Sequence, residues 1–157
     1  MFTLYSADII GNPGNCSYPN KNTITDATSL QLAVCHDYVC AEYKNNYRNG
    51  DNFLGADCLP VDCDNDHSEN PADWVLPADV AAAFPDVSFA VHYSRYNMRE
   101  KNGKPARPKF HILFPIEYMA GRNPEMGPSV AVDLRSGGWN RDRTQSGAST
   151  TDGHLHY

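Results

Sequence analysis

Cys58-Leu-Pro-Val-Asp-Cys-Asp-Asn-Asp-His-Ser-Glu69 passes directly from an apolar segment into a run of acidic residues. Leu59 to Asp64 has the make-up of a short strand, and side chains on a strand alternate between its faces. Asp62 and Asp64 then project from one side while Val61 and Cys63 face the other. Two carboxylates held side by side repel unless a cation lies between them. Mg²⁺ or Mn²⁺ suits that place, because hard divalent ions take oxygen ligands and share them with substrate phosphates. Paired ions of this kind activate an attacking hydroxyl and stabilise a leaving phosphate group. Asp-x-Asp is a short signal, which a solvated acidic loop also contains. An EF-hand reading of Asp62, Asp64 and Asp66 fails at His67, where the sharp turn needs glycine, and at Asp73, where glutamate belongs. Cys58, Cys63 and His67 have a spacing that matches no standard zinc pattern.

Two further strands lie downstream. Val87-Ser-Phe-Ala-Val-His-Tyr93 and Phe110-His-Ile-Leu-Phe114 are rich in β-branched and aromatic residues. The turn pair Asn102-Gly103 lies between them, so they predict a long antiparallel hairpin with a basic tip. On the second strand His111 faces away from Phe110, Ile112 and Phe114. A histidine so placed is ordinarily a half-buried residue with an internal partner. Beside Arg107 and Lys109 it can also donate to a triphosphate oxygen.

The rest of the chain fills in an α+β domain with a mainly antiparallel sheet flanked by helices. Residues up to Thr25 are rich in Asn, Gly and Pro and predict loops around short extended pieces. Thr25 or Asp26 is placed to cap a helix, and Leu30, Ala33, Val34, Tyr38 and Ala41 carry helical spacing as far as Tyr43. Pro77 to Phe84 predicts a second, short helix closed by Pro85. From about residue 119 Gly, Ser, Arg, Asn and Thr dominate, and only Ser129 to Leu134 has the pattern of an element. The expected division is a core over 1–118 and a stretch of low hydrophobicity over 119–157, either a flexible tail or an incomplete end of the same domain.

The 157 residues, 41% hydrophobic and 20% charged, suit one globular domain. No run is long and apolar enough for a membrane span, and the N-terminus lacks a secretory pattern, so the expected location is cytoplasmic, with no membrane partner. Five cysteines without framework spacing then predict free thiols. The net charge of −6 argues against coating nucleic acid with the whole surface. The average hides an asymmetry: Arg95, Arg99, Lys101, Lys104, Arg107 and Lys109 are opposed only by Glu100, whereas Asp51 to Asp86 is strongly acidic. Neighbouring patches of opposite sign suit a site for metal and polyphosphate, or two solvated loops.

Taken together, these motifs resemble those of the archaeo-eukaryotic primases, including the primase-polymerases of plasmids, phages and integrated elements. Val61-Asp-Cys-Asp64 resembles their strand-borne acidic motif and Lys109-Phe-His111 their histidine motif. Asp37-Tyr-Val-Cys-Ala-Glu-Tyr-Lys44, Leu59 to Glu69 and Arg107 to His111 are similar to primases of mobile elements in Gram-positive bacteria, and the likeness runs from about Asn12 to Ile116. Lys109 departs from the pattern, since a small residue is usual there. Val130-Ala-Val-Asp-Leu-Arg-Ser-Gly-Gly138 resembles the third motif, which makes Asp133 a candidate metal ligand.

The resemblance implies an RRM-like palm and template-directed nucleotidyl transfer with Mg²⁺ or Mn²⁺ in the replication of a mobile element. Asp62, Asp64 and Asp133 would hold metal, His111 would contact the nucleotide, and Arg95, Arg107 and Lys109 would supply charge for phosphates. The implied partners are a single-stranded DNA template, nucleoside triphosphates and a replicative helicase. Two other readings remain. One is a catalytically inactive or truncated nucleic-acid-binding module. The other is a different Asp-x-Asp transferase, such as one using nucleotide sugars, which would need a parallel α/β half that the first 55 residues are too short and irregular to provide.

Overall fold

The computed structural model describes residues 1–101 and 103–121. Asp133 and the stretch Ser129 to Leu134 lie outside the described residues. The chain forms strands β1 (Phe2–Ser6) and β2 (Asn20–Ile24), helix α1 (Ala27–Val34), strands β3 (Tyr38–Val39), β4 (Ala41–Tyr43) and β5 (Phe53–Cys63), helix α2 (Pro77–Ala83), and strands β6 (Ala90–Tyr93) and β7 (Phe110–Ala120). They build a three-stranded sheet of order β2-β1-β3 and a four-stranded sheet of order β4-β5-β7-β6. Every strand pairing among the described residues is antiparallel. The fold is therefore α+β with antiparallel sheets, and no parallel nucleoside-binding half precedes the acidic motif.

The central sheet is covered on both faces. On one, Cys58 of β5 and Leu113 of β7 pack with Leu30 and Ala33 of α1 and with Phe2, Leu4 and Ile24 of the small sheet. On the other, Val61, Cys63, Phe110 and Ile112 pack beneath Val80 of α2 and the rings of Phe84 and Phe89. The alternation read from the sequence accounts for this second face, since Val61 and Cys63 point away from the two aspartates. The two sheets are also tied by hydrogen bonds: the Thr3 amide and hydroxyl donate to the two Asp57 carboxylate oxygens at 2.8 and 2.9 Å. No helix among the described residues is long and apolar enough to cross a membrane.

Helix α1 starts where the sequence places it. The Asp26 carboxylate accepts from the Ser29 amide at 2.8 Å, and the Ser29 hydroxyl accepts from the Asp26 amide in return. It ends at Val34, nine residues before the expected Tyr43. Asp37 sets the break: its amide donates to the Ile9 carbonyl and its carbonyl accepts from the Ala7 amide. Tyr38 and Val39 then pair with Ser6 and Tyr5 of β1, and after the buried Cys40 the chain joins β5 as β4. Residues of high strand propensity thus take a sheet register where their spacing also fitted a helix.

Strands β5 and β7 exceed their expected lengths, and β6 falls short of Val87. Pro60 and Pro115 are tolerated because β4 no longer flanks β5 at Pro60 and β6 no longer flanks β7 at Pro115. Because Leu113 is fully buried where both sheets and α1 meet, Leu113→Ala is expected to cost about 2–5 kcal/mol in urea unfolding. A loss under about 1 kcal/mol would place the core elsewhere.

Candidate metal and nucleotide site

Pairing of β5 with β7 sets Asp62 opposite His111, and pairing of β6 with β7 sets His92 opposite the same residue. Three polar side chains therefore form a row across three strands, on the face opposite α2. The His111 Nε2 lies 3.7 Å from a carboxylate oxygen of Asp62. Behind the row stands Tyr38, whose hydroxyl lies 2.7 Å from His92 Nε2 and 2.9 Å from His111 Nδ1. The row opens into a cleft of about 460 Å³ whose lining includes Asp62, Asp64, His92, His111, Arg95 and Lys101, with the end of α1 on its far side.

Asp64 follows the last residue of β5 and is aimed by a buried polar cluster. Asn65 adopts a left-handed backbone (φ 54), which Asn tolerates better than most residues. Its buried amide donates to the carbonyls of Val75 and Pro108 at 2.9 Å and accepts from the Val75 amide at 2.7 Å. Arg107 is 1% exposed, and its guanidinium donates to the carbonyls of Asn65 and Pro105. Lys109 is also buried, with its ammonium 3.1 Å from Asp64 and 3.3 Å from Asp66. Arg107 and Lys109 thus meet the acidic loop from inside the protein. They brace it and offset its charge.

Among the described residues, the lysine and arginine side chains that line the cleft are Arg95 and Lys101. Arg95 is half exposed and pairs with Asp37 at 3.1 Å. Burial opposes ionisation of Asp37, but hydrogen bonds from the Gly11 and Asn12 amides and from Arg95 outweigh it and hold the carboxyl below its usual range. Lys101 sits over the Tyr96 ring, 4.5 Å from its centroid. Of the residues expected at the site, Asp62, Asp64, His111 and Arg95 meet at one cleft. Tyr38, His92 and Asn65 were not anticipated. The hairpin register was the available signal for His92, since it places a second histidine across from His111.

The donor set can be tested against a divalent metal. Solvent reaches 63% of the Asp62 side chain, yet the concave site strips part of its hydration and raises its pKa; His111 pulls the other way and Asp64 adds to the rise. A cation between Asp62 and Asp64 relieves that repulsion. Among the described residues no group of three or more His, Cys, Asp or Glu forms a complete cage. Two carboxylates completed by water and substrate phosphates are a usual arrangement for Mg²⁺, so the residues present fit a shared ion better than a structural one. All five cysteines are free; burial and the two neighbouring aspartates push the Cys63 thiol up to about 11, so it is neutral near pH 7. No family model, curated protein or solved structure matches the chain.

Burial, then the neighbouring His111, depress His92 from 6.5 to about 4. Between those values the unfolded chain takes up a proton that the folded protein refuses, so stability contributed by neutral His92 is lost as pH falls. Asp62, raised in the fold, has the opposite sign. The His92 contribution is therefore read as a difference: the melting temperature of the wild type should fall more steeply from pH 6.5 to 4 than that of His92→Gln. Parallel profiles would contradict the burial of a neutral imidazole.

Proposed function

We propose that the chain is the catalytic core of a DNA primase or primase-polymerase that joins nucleotides on a single-stranded DNA template in the replication of a mobile element. The observation that carries the reading is Asp62 opposite His111 on neighbouring strands, with Asp64 two residues further along, at a cleft that also holds Arg95 and Lys101. The four-stranded antiparallel sheet that bears them agrees with an RRM-like palm, and the likeness of Val61-Asp-Cys-Asp64 and Lys109-Phe-His111 to primase motifs supports the same assignment.

In this reading Asp62 and Asp64 would hold Mg²⁺ or Mn²⁺ together with the triphosphate of the incoming nucleotide. The ion would supply activation of the primer 3′-hydroxyl and charge neutralisation at the leaving pyrophosphate. The protein's own groups do the positioning. His111 presents Nε2 to the nucleotide, Arg95 and Lys101 attract and orient its phosphates, and Lys109 keeps Asp64 in place while offsetting part of the charge of the acidic loop. The new bond joins the 3′-oxygen to the α-phosphorus as the bond to pyrophosphate breaks. Asp133, on the third primase-like motif, is the candidate for a further carboxylate. A replicative helicase and a cytoplasmic setting complete the proposal.

The reading is tested by incorporation of labelled nucleotide on single-stranded DNA with Mg²⁺ or Mn²⁺. Asp62→Ala and Asp64→Ala should each lower the rate by at least about 10³-fold, the scale of removing preorganised charge from a reacting centre, while leaving the circular dichroism spectrum unchanged. Full activity in both variants would refute the assignment. Template binding without incorporation by the wild type would instead identify a nucleic-acid-binding module.

A further inference from the structure

We propose that Tyr38 and His92 are positioning residues that lock His111 in the tautomer protonated at Nδ1, with Nε2 turned to the cleft. The hydrogen-bond chain has only one consistent direction. The His92 Nδ1 lies 3.1 Å from the Tyr93 carbonyl oxygen, which can only accept, so Nδ1 carries the proton. A neutral imidazole has one donor, so His92 Nε2 accepts from the Tyr38 hydroxyl at 2.7 Å. With its proton committed to His92, the Tyr38 oxygen accepts from His111 Nδ1 at 2.9 Å. Burial, the first cause of its depressed pKa, keeps the His92 ring neutral near pH 7 and the direction fixed.

The geometry leaves the pair little freedom. Tyr38 belongs to β3 of the small sheet, and its ring meets His92 at 5.5 Å and His111 at 6.2 Å between centroids. The two imidazoles sit 4.8 Å apart on adjacent strands. The small sheet therefore reaches the polar row of the central one through the Tyr38 hydroxyl, which orients the ring that faces Asp62. With Nδ1–H held by Tyr38, His111 keeps its lone pair on Nε2 at the cleft, so that nitrogen accepts a hydrogen bond or a proton from a bound nucleotide while the other side of the ring stays anchored.

The tautomer follows from the hydrogen-bond geometry around a neutral His92; its consequence for nucleotide binding rests on the proposed function. Two readouts keep these apart. Long-range ¹H–¹⁵N spectra of the substrate-free protein near pH 7 report the protonated nitrogen of each histidine. The wild type should show His92 and His111 both protonated at Nδ1. His92→Leu frees the Tyr38 hydroxyl to donate to His111, which should shift His111 to the Nε2–H form, and Tyr38→Phe should remove the Nδ1–H preference. A wild-type His111 protonated at Nε2 overturns the proposal without any variant having to fold. In the incorporation assay Tyr38→Phe should raise the KM for nucleotide about tenfold with kcat largely retained, the scale of losing one hydrogen bond that orients the ring. An unchanged KM would remove the pair from nucleotide binding and leave the tautomer result standing on its own.

Discussion

Register between β5 and β7 is the constraint on which the site depends. A slip of one residue in either strand would turn Asp62 or His111 toward α2 and bring Val61 or Ile112 to the polar face in its place, because side chains alternate along a strand. The slip is opposed by burial on both faces: Leu113 and Cys58 are enclosed by α1 and the small sheet, Phe110 and Ile112 by α2. The polar row therefore follows from the apolar pattern. Hydrophobic packing fixes the register, and the register brings a carboxylate beside an imidazole.

Electrostatics at the strand ends complete the arrangement. The acidic loop after β5 would repel itself if left in water, and two buried cations answer it from below, Arg107 through the Asn65 carbonyl and Lys109 through Asp64 and Asp66. Burying charge is costly unless it is paired and hydrogen-bonded, so these two residues make a stiff support. Arg95 and Lys101 keep solvent-facing positions at the cleft, where a cation can meet a phosphate. The basic segment read from the sequence thus divides in two, one part bracing the aspartates and the other lining the cleft.

Legibility in the sequence followed the range of the interactions. Helix α2, the hairpin β6–β7 and the shared face of Asp62 and Asp64 were readable because caps, turns and alternation are local. The helix expected to reach Tyr43 was not, because Asp37 is held by Ile9 and Ala7 and Tyr38 by its pairing with Ser6. β2 was hidden by its sequence, Asn-Lys-Asn-Thr-Ile, whose exposed edge gives little apolar signal. Tyr38 and His92 stand 54 residues apart in the chain and meet only when the two sheets pack. Asn65 looked like an ordinary loop residue; its burial depends on carbonyls of Val75 and Pro108 that no local pattern connects to it.

The central claim is that Asp62, Asp64 and His111 together form a metal and nucleotide site. Paramagnetic broadening of amide signals by Mn²⁺, with a non-hydrolysable nucleoside triphosphate present, tests it most directly. The account predicts selective loss of signals around residues 61–65 and 109–112 in the wild type and their return in Asp62→Asn/Asp64→Asn. Broadening centred elsewhere, or unchanged by that double substitution, would contradict it.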